Sequence, residues 1–312
     1  MSKKYIISID LGATNLKVAL LDSNYKIIRR NFYSTQSLKS PSNLINKICL
    51  SVRHLLSDRK IKKTAVLGVG IGVPGPVDYS SGKVHFFPNI PGWIEVSLKS
   101  ILQRRLELPV FVDNDANLMS LAEARRGAAK KSKNAVCLTL GTGVGSGIII
   151  NGSLFRGSSF AAGEIGHMPL NEDGPRCACG GRACLERYIG NKEILRAAKK
   201  IFNRNITLEE LSTLAKKGNR KARDLWYNVG IKLGLALTSL VNVLNPDCIV
   251  IGGGVSAAGD FLFKGVTDTI KKRAMPVQAG SVEVLKAKMG SDAGLIGAGI
   301  LLKESLNNKR LK

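Results

Sequence analysis

The chain has 312 residues, 44% hydrophobic and 22% charged, enough to bury two cores and ordinary for a folded globular protein. No apolar run reaches the roughly 18 residues of a membrane span, and the start MSKKYIISID enters a strand with no signal-peptide pattern, so no membrane partner and a cytoplasmic location are expected. A formal charge of +24 raises nucleic-acid binding as a class, but Lys and Arg are scattered in pairs such as Arg29-Arg30, Lys130-Lys131 and Lys271-Lys272, without a dense tract or interleaved aromatics. That spread reads as a solvated basic surface that attracts anionic small molecules, with no specific nucleic-acid partner.

Residues 5–9 form a short β-rich run ending in Asp10, followed by Leu11-Gly12-Ala13-Thr14-Asn15 and a second apolar run over 16–21. Strand, small-residue turn, strand is the natural reading. Gly12 and Thr14 at such a turn can offer backbone N–H groups and a hydroxyl to phosphate oxygens, and Asp10 can hold Mg²⁺ through water; a tight hairpin needs the glycine in any case. A third strand is expected over 26–33. Ser40 and Pro41 read as an N-cap and first helical residue, with Leu44, Ile45, Ile48, Val52, Leu55 and Leu56 on one face.

Residues 65–73 read as a strand with glycines at alternate positions, running into the rigid turn Pro74-Gly75-Pro76. A loop over 89–93, a helix over 98–106 and a strand over 110–112 lead to Asp113-Asn114-Asp115-Ala116-Asn117 and a helix over 118–126. An aspartate between strand and helix serves either as an N-cap or as a catalyst. A strand over 135–140, the loop Gly141-Thr142-Gly143-Val144-Gly145-Ser146-Gly147 and a strand over 148–150 closing at Asn151-Gly152 repeat the plan of the first twenty residues. The repeat implies a duplicated fold with two phosphate loops facing one cleft.

Residues 163–186, GEIGHMPLNEDGPRCACGGRACLE, hold three of the six cysteines and one of the three histidines among glycines and small residues that cannot build a core. His167, Cys177, Cys179 and Cys184 supply a Cys₃His set, one of the usual structural shells of Zn²⁺. The alternatives are unpaired thiols, or one disulfide with a spare cysteine. Cys49, Cys137 and Cys248 sit in apolar contexts and read as buried small hydrophobes. Residues 192–245 are helical in pattern, with a capping box at Thr207 and Glu210 and a break at Gly218-Asn219. A strand over 248–251 feeds Gly252-Gly253-Gly254; a helix over 260–273, a strand over 282–285, a helix over 293–306 and a mobile tail over 307–312 complete the chain.

The loop from Glu164-Ile165-Gly166-His167 to Cys184-Leu185-Glu186 resembles the zinc-binding motif of the ROK family, which groups repressors, open reading frames of unknown role and sugar kinases. The resemblance implies that Glu164 and Glu186 bind sugar and that His167 both ligates zinc and touches the sugar. Where the family usually has glycine before the last cysteine this chain has Ala183, a change expected to be tolerated at negative φ. Asn114-Asp115-Ala116-Asn117 is similar to the family motif in which the aspartate is the general base and the preceding asparagine binds sugar; Asp115 and Asn114 take those roles by position, and Asp113 is a structural neighbour. Gly75 corresponds to a turn beside the sugar, and Gly253 and Gly254 to a loop approaching the adenosine.

The resemblance further implies an α/β, two-domain actin-like ATPase (ribonuclease H-like) fold with a duplicated strand-loop-strand unit and a cleft between domains. One domain would comprise residues 1–115 plus the helix 293–312, and the other residues 116–292 with the zinc loop. The implied activity is transfer of the ATP γ-phosphoryl group to the 6-hydroxyl of glucose. Mg²⁺ would be held near Asp10, phosphates by Gly12, Thr14, Thr142 and Gly143, and Zn²⁺ would be structural. N-acetylmannosamine or another hexose as substrate, and polyphosphate as donor, stay open; a homodimer or homotetramer is expected. A sugar-sensing regulator is the alternative of another class, but the family's repressors carry an N-terminal helix-turn-helix, and only nine residues precede Asp10.

Overall fold

A computed structural model describes residues 4–12, 14–38, 40–87, 90 and 92–310. The chain forms two compact units, one of Met1–Ala122, Arg156–Ala162 and Ser291–Lys312, the other of Glu123–Phe155 and Gly163–Gly290. In the first, β1 (Tyr5–Leu11), β2 (Asn15–Asp22) and β3 (Ile27–Ser34) run as an antiparallel meander. The helix α1 (Pro41–Asp58) starts where its signals place it, with the Ser40 hydroxyl accepting from the Asn43 N–H, and buries Leu44, Ile45, Ile48, Val52 and Leu55.

β4 (Val66–Val73) pairs parallel with β1. A small antiparallel sheet of β5 (Val77–Asp78), β6 (Lys83–Phe86) and β7 (Ile94–Val96) follows, in stretches to which the sequence pattern assigns no element. Residues 89 and 91 of the expected loop lie outside the described residues. Next come α2 (Leu98–Leu106) and β8 (Val110–Asn114), parallel to β4. The helix α3 (Asp115–Arg126) begins three residues earlier than its apolar pattern predicts, because the Asn114 Oδ1 caps it by accepting from the N–H groups of Ala116 and Asn117 at 2.9 and 3.2 Å.

The second unit opens with β9 (Ala135–Leu140), β10 (Val144–Ile150) and β11 (Ser153–Phe155). Asn151 and Gly152, at φ 50° and 75°, make the expected hairpin between the last two. After the cysteine loop come α4 (Glu186–Ile189), α5 (Asn191–Phe202), α6 (Leu208–Lys216) and α7 (Arg220–Leu244). Thr207 and Asn219 cap α6 and α7 with their side-chain oxygens. β12 (Cys248–Gly252), α8 (Asp260–Arg273), α9 (Pro276–Ser281) and β13 (Glu283–Lys286) follow, and α10 (Ala293–Arg310) returns the chain to the first unit.

By length and composition α7 could cross a membrane, yet it serves as a core helix. Trp226, Leu233 and Leu237 are at most 1% exposed, and each buried Leu contributes roughly 1.5–3 kcal/mol. A methyl group on Gly230 would collide with the Leu262 carbonyl, so the glycines let α7 and α8 pack backbone against backbone. α10 runs through Arg310 rather than ending at residue 306, correcting the expected tail; residues 311 and 312 lie outside the described residues.

The sheet orders are β3-β2-β1-β4-β8 and β11-β10-β9-β12-β13. In each, the first three strands pair antiparallel and the last two add parallel, so the duplicated hairpins sit in duplicated sheets.

Candidate functional site

Strand register decides which side chains meet in the first unit. β1 pairs with β2 so that Asp10 faces Lys17, and the Lys17 ammonium donates to Asp10 Oδ2 and to the Ser291 carbonyl, both at 2.9 Å. A methyl on Gly294, at the start of α10, would lie 2.6–2.8 Å from the Asp10 carboxyl atoms, so this acid packs on the positive end of a helix as well. A hard carboxylate oxygen is the kind of donor that takes Mg²⁺, directly or through water. Asp10 fits that use on condition that the cation displaces or shares Lys17. The β1–β2 turn closes through the Gly12 N–H and the Asn15 carbonyl at 2.8 Å; Thr14 is exposed, its hydroxyl accepting from the Asn15 amide at 3.1 Å. Ala13 lies outside the described residues.

Asp10 on β1, Gly72 on β4 and Asp113 on β8 occupy one row of the sheet, which puts Asn114 and Asp115 immediately past its end. Asn114 is largely committed to holding structure: its oxygen caps α3, and its Nδ2 donates to the Gly75 carbonyl at 3.1 Å. One amide hydrogen remains for a ligand. Gly75 has φ 83°, and a methyl there would strike the Phe86 carbonyl, so the turn needs glycine. Asp115 is half-buried in the first turn of α3, where the partial positive charge of the helix start favours an anion; its Oδ1 accepts from the Ala116 N–H at 2.8 Å.

In the second unit the cysteine loop is a small knot of backbone bonds. Leu170 and Leu185 donate to Ala183 and Met168, Cys177 to Gly181, and Ala183 to Pro175. These bonds bring the donor atoms of His167, Cys177, Cys179 and Cys184 within 4.8 Å of one another. The His167 Nδ1 lies 3.7 Å from Cys177 Sγ, and the Cys179 and Cys184 sulfurs are 3.7 Å apart. Zn–S bonds of about 2.3 Å in a tetrahedron require sulfurs about 3.8 Å apart, whereas a disulfide requires about 2.05 Å, so the spacing fits a shared metal and leaves all three thiols free. Burial pushes the Cys184 thiol up to about 12, with the neighbouring thiols adding to it, while the Gly181 N–H lowers Cys179.

With Nδ1 turned to the thiols, His167 presents Nε2 to Glu164 at 4.0 Å, and the Glu164 side chain is 55% exposed. Glu186 is held more firmly. Its Oε2 accepts from the Val144 N–H at 2.9 Å, and a methyl on Gly143 would collide with that same oxygen. The metal-capable loop and the second glycine loop are thus joined through Glu186. Thr142 is exposed, and the Gly141 carbonyl accepts from the Asn191 N–H. Gly253, at φ 82°, abuts the Leu140 backbone so closely that no side chain fits, while Gly254 faces open space. The condition under which Ala183 is expected to be tolerated, a negative φ, is not met: it stands at φ 53° and fully buried, a conformation costing about 1 kcal/mol for a residue with a Cβ.

Two partners escape the sequence reading. Lys17 carries a readable signal, since a hairpin closing between Gly12 and Asn15 sets it opposite Asp10. Arg156, which donates to Asp113, carries none, because 43 residues of chain separate the two.

The model of the ROK family matches residues 6–305. A glucokinase of Halalkalibacterium halodurans is 35% identical, covering 99% of this chain and 98% of that one. A xylose repressor of Bacillus spizizenii is 30% identical over 96% of this chain and 77% of the repressor. Among solved structures, a ROK family glucokinase from Streptomyces griseus in complex with glucose and AMPPNP superposes with a TM-score of 0.82 at 30% identity, covering 96% of this chain and 99% of that one. Kinase and repressor thus both match nearly the whole length of this chain, and with the family model spanning residues 6–305 the chain belongs to the ROK family.

Proposed function

We propose that the protein is an ATP-dependent hexose kinase with glucose as its first substrate, N-acetylmannosamine and other hexoses being the runners-up. The observation that carries this reading is the placement of the His167 ring: one nitrogen faces the thiols and the other faces Glu164, an arrangement that suits a structural metal on one edge and a sugar hydroxyl on the other. The likeness to glucokinases along the whole chain supports it.

In the proposed reaction the sugar 6-hydroxyl attacks the γ-phosphorus, its proton passes to Asp115, and the bond to the β-phosphate oxygen breaks to release ADP. Glu164, His167 and Glu186 accept and donate hydrogen bonds to ring hydroxyls, Asn114 contributes its remaining amide hydrogen, and Gly75 borders the sugar. Gly12, Thr14, Thr142 and Gly143 hold phosphates, and Gly253 and Gly254 border the nucleotide. Zinc held by His167, Cys177, Cys179 and Cys184 would supply rigidity only, and Mg²⁺ near Asp10 would neutralise charge developing on the phosphates. Reduced thiols and an ATP donor suit the cytoplasm.

The similarity to xylose repressors favours one second reading, a sugar sensor that binds without turnover. A coupled phosphorylation assay over a panel of hexoses and pentoses, with ATP and polyphosphate as donors, decides between them. Turnover of a hexose supports the kinase; sugar binding by calorimetry with no phosphorylation of any sugar supports the sensor.

A further inference from the structure

The first unit contains a buried ion pair with no role in the reaction as written, and it stands immediately before Asn114. Asp113 is 2% exposed, and its carboxylate takes four donors. Oδ1 accepts from the Asn114 N–H at 2.8 Å and from Asn117 Nδ2 at 3.0 Å; Oδ2 accepts from Arg156 Nε at 2.9 Å and from the terminal Nη2 at 2.8 Å. The guanidinium lies 3.8 Å from the centroid of the Tyr79 ring, whose hydroxyl is 2.9 Å from Ser305 Oγ on α10. The fork is therefore fixed from behind by a ring that is itself tied to a helix.

Net stability is a poor reason for such a pair, since the cost of desolvating two charges offsets their attraction and an apolar pair of the same shape serves as well. Direction is what the pair supplies. With Oδ2 captured by the fork, Oδ1 is aimed at two groups on either side of Asp115 in the chain, the main-chain N–H of Asn114 and the amide of Asn117. The Asn117 Oδ1 has no donor among the described residues, so its buried amide is held through Nδ2 alone, by Asp113.

We propose that Arg156 and Asp113 are positioning residues for Asp115: the guanidinium orients Asp113, and Asp113 sets the rotation of the first turn of α3 at which the Asp115 carboxylate meets the sugar hydroxyl. The assignment rests on the kinase reading above. Its test compares steady-state sugar phosphorylation and thermal melting for the wild type, Arg156→Met, Asp113→Asn and the double variant. Arg156→Met keeps an apolar stem on Tyr79 and strands a buried carboxylate, so Tm and kcat both fall, kcat by tenfold or more, with KM for ATP within twofold of wild type. The double variant removes both charges; Tm returns towards wild type while kcat stays at least tenfold low, because a methionine and an amide cannot reproduce the fork. Recovery of kcat together with Tm would make the pair a fold support and overturn the assignment. Should Arg156→Met not fold, Arg156→Lys retains the charge without the fork: low kcat at wild-type Tm supports the proposal, and wild-type kcat overturns it. A wild type inert towards every sugar removes the kinase reading and this assignment with it, whereas an active wild type with indifferent variants removes only this one.

Discussion

Asp115 stands in the first turn of a helix, and as the proposed base the same carboxylate would also take a proton. Asp115→Asn keeps the shape and the acceptor for the Ala116 N–H while removing the proposed base. Turnover is expected to fall about 10³-fold with sugar affinity within a few-fold of wild type, measured by coupled assay and calorimetry. Unchanged turnover would take the base away from this residue. Ala183 offers the opposite kind of change. It holds φ 53° beside Cys184, fully buried, and its Cβ stands 2.9 Å from where a methyl on Gly174 would be. Ala183→Gly relieves the left-handed strain without removing a hydrogen-bond partner, at the loss of one buried methyl, so the loop should gain up to about 0.5 kcal/mol, read as a higher melting temperature or slower loss of a bound metal to a chelator. A fall in both would show that the methyl packing outweighs the backbone cost.

At the scale of elements, the cysteine loop and the β5–β6 turn make contrasting tests. The loop's buried apolar side chains, Ile165, Ala183 and Leu185, lie towards its two ends, and its four donors converge between them without a disulfide, so the order of its middle is expected to depend on a bound metal. Chelation should increase hydrogen exchange and proteolysis over residues 164–186 while the strands of both sheets stay protected, and phosphorylation should fall in step with metal content; an unchanged loop would make the metal dispensable. The β5–β6 turn is organised by Asp78, whose carboxylate accepts from the hydroxyls of Ser80 and Ser81 at 2.6 and 2.7 Å and from their N–H groups at 2.9 and 3.2 Å. Those bonds, the hydroxyls first, hold its pKa far below the ordinary carboxylate value of about 3.9. A depressed folded-state pKa means stability that is fully present above the unfolded value and is lost as pH falls towards the folded one. Asp78→Asn should therefore cost less than about 1 kcal/mol at pH 7, since the turn is solvated, and the gap to wild type should be constant above about pH 5 and close below pH 4 in denaturant melts. A gap that widens on acidification would contradict the assignment.

These elements also show what a sequence discloses. The four metal-capable donors are legible because their clustering among glycines is local and chemically unusual, and the paired hairpins because each is closed by a short turn. The strands β5 to β7 are not, since runs of two to four residues carry no periodicity, and the onset of α3 is set by Asn114 capping rather than by its apolar face. Ala183 misleads because backbone sign at that position follows from the knot of loop hydrogen bonds, and the Arg156–Asp113 pair is invisible because only the folded chain brings a residue after β11 to the end of β8.

For the whole molecule the outstanding property is charge: 47 Lys and Arg against 23 Asp and Glu, a formal +24. Much of it is uncommitted to strong local pairing, since most of the ion pairs among the described residues are surface contacts with both partners a third or more exposed, such as Arg29–Asp58 and Arg220–Asp224. A field of this sign raises the encounter rate of a polyanion such as ATP and does nothing for an uncharged hexose. Raising ionic strength from about 0.01 M to 0.15 M shortens the screening length from about 30 to 8 Å, so kcat/KM for ATP is expected to fall roughly threefold or more while KM for the sugar stays level. The neutral substrate is the internal control: a parallel loss for both would report salt acting on the fold, and a flat response for ATP would mean that the surface charge does not steer the nucleotide. If polyphosphate also serves as donor, its dependence should be steeper than that of ATP, because more charges on one ligand leave their counterions on binding, and the ratio of the two slopes separates a surface that merely attracts anions from a site that accepts a chain of them.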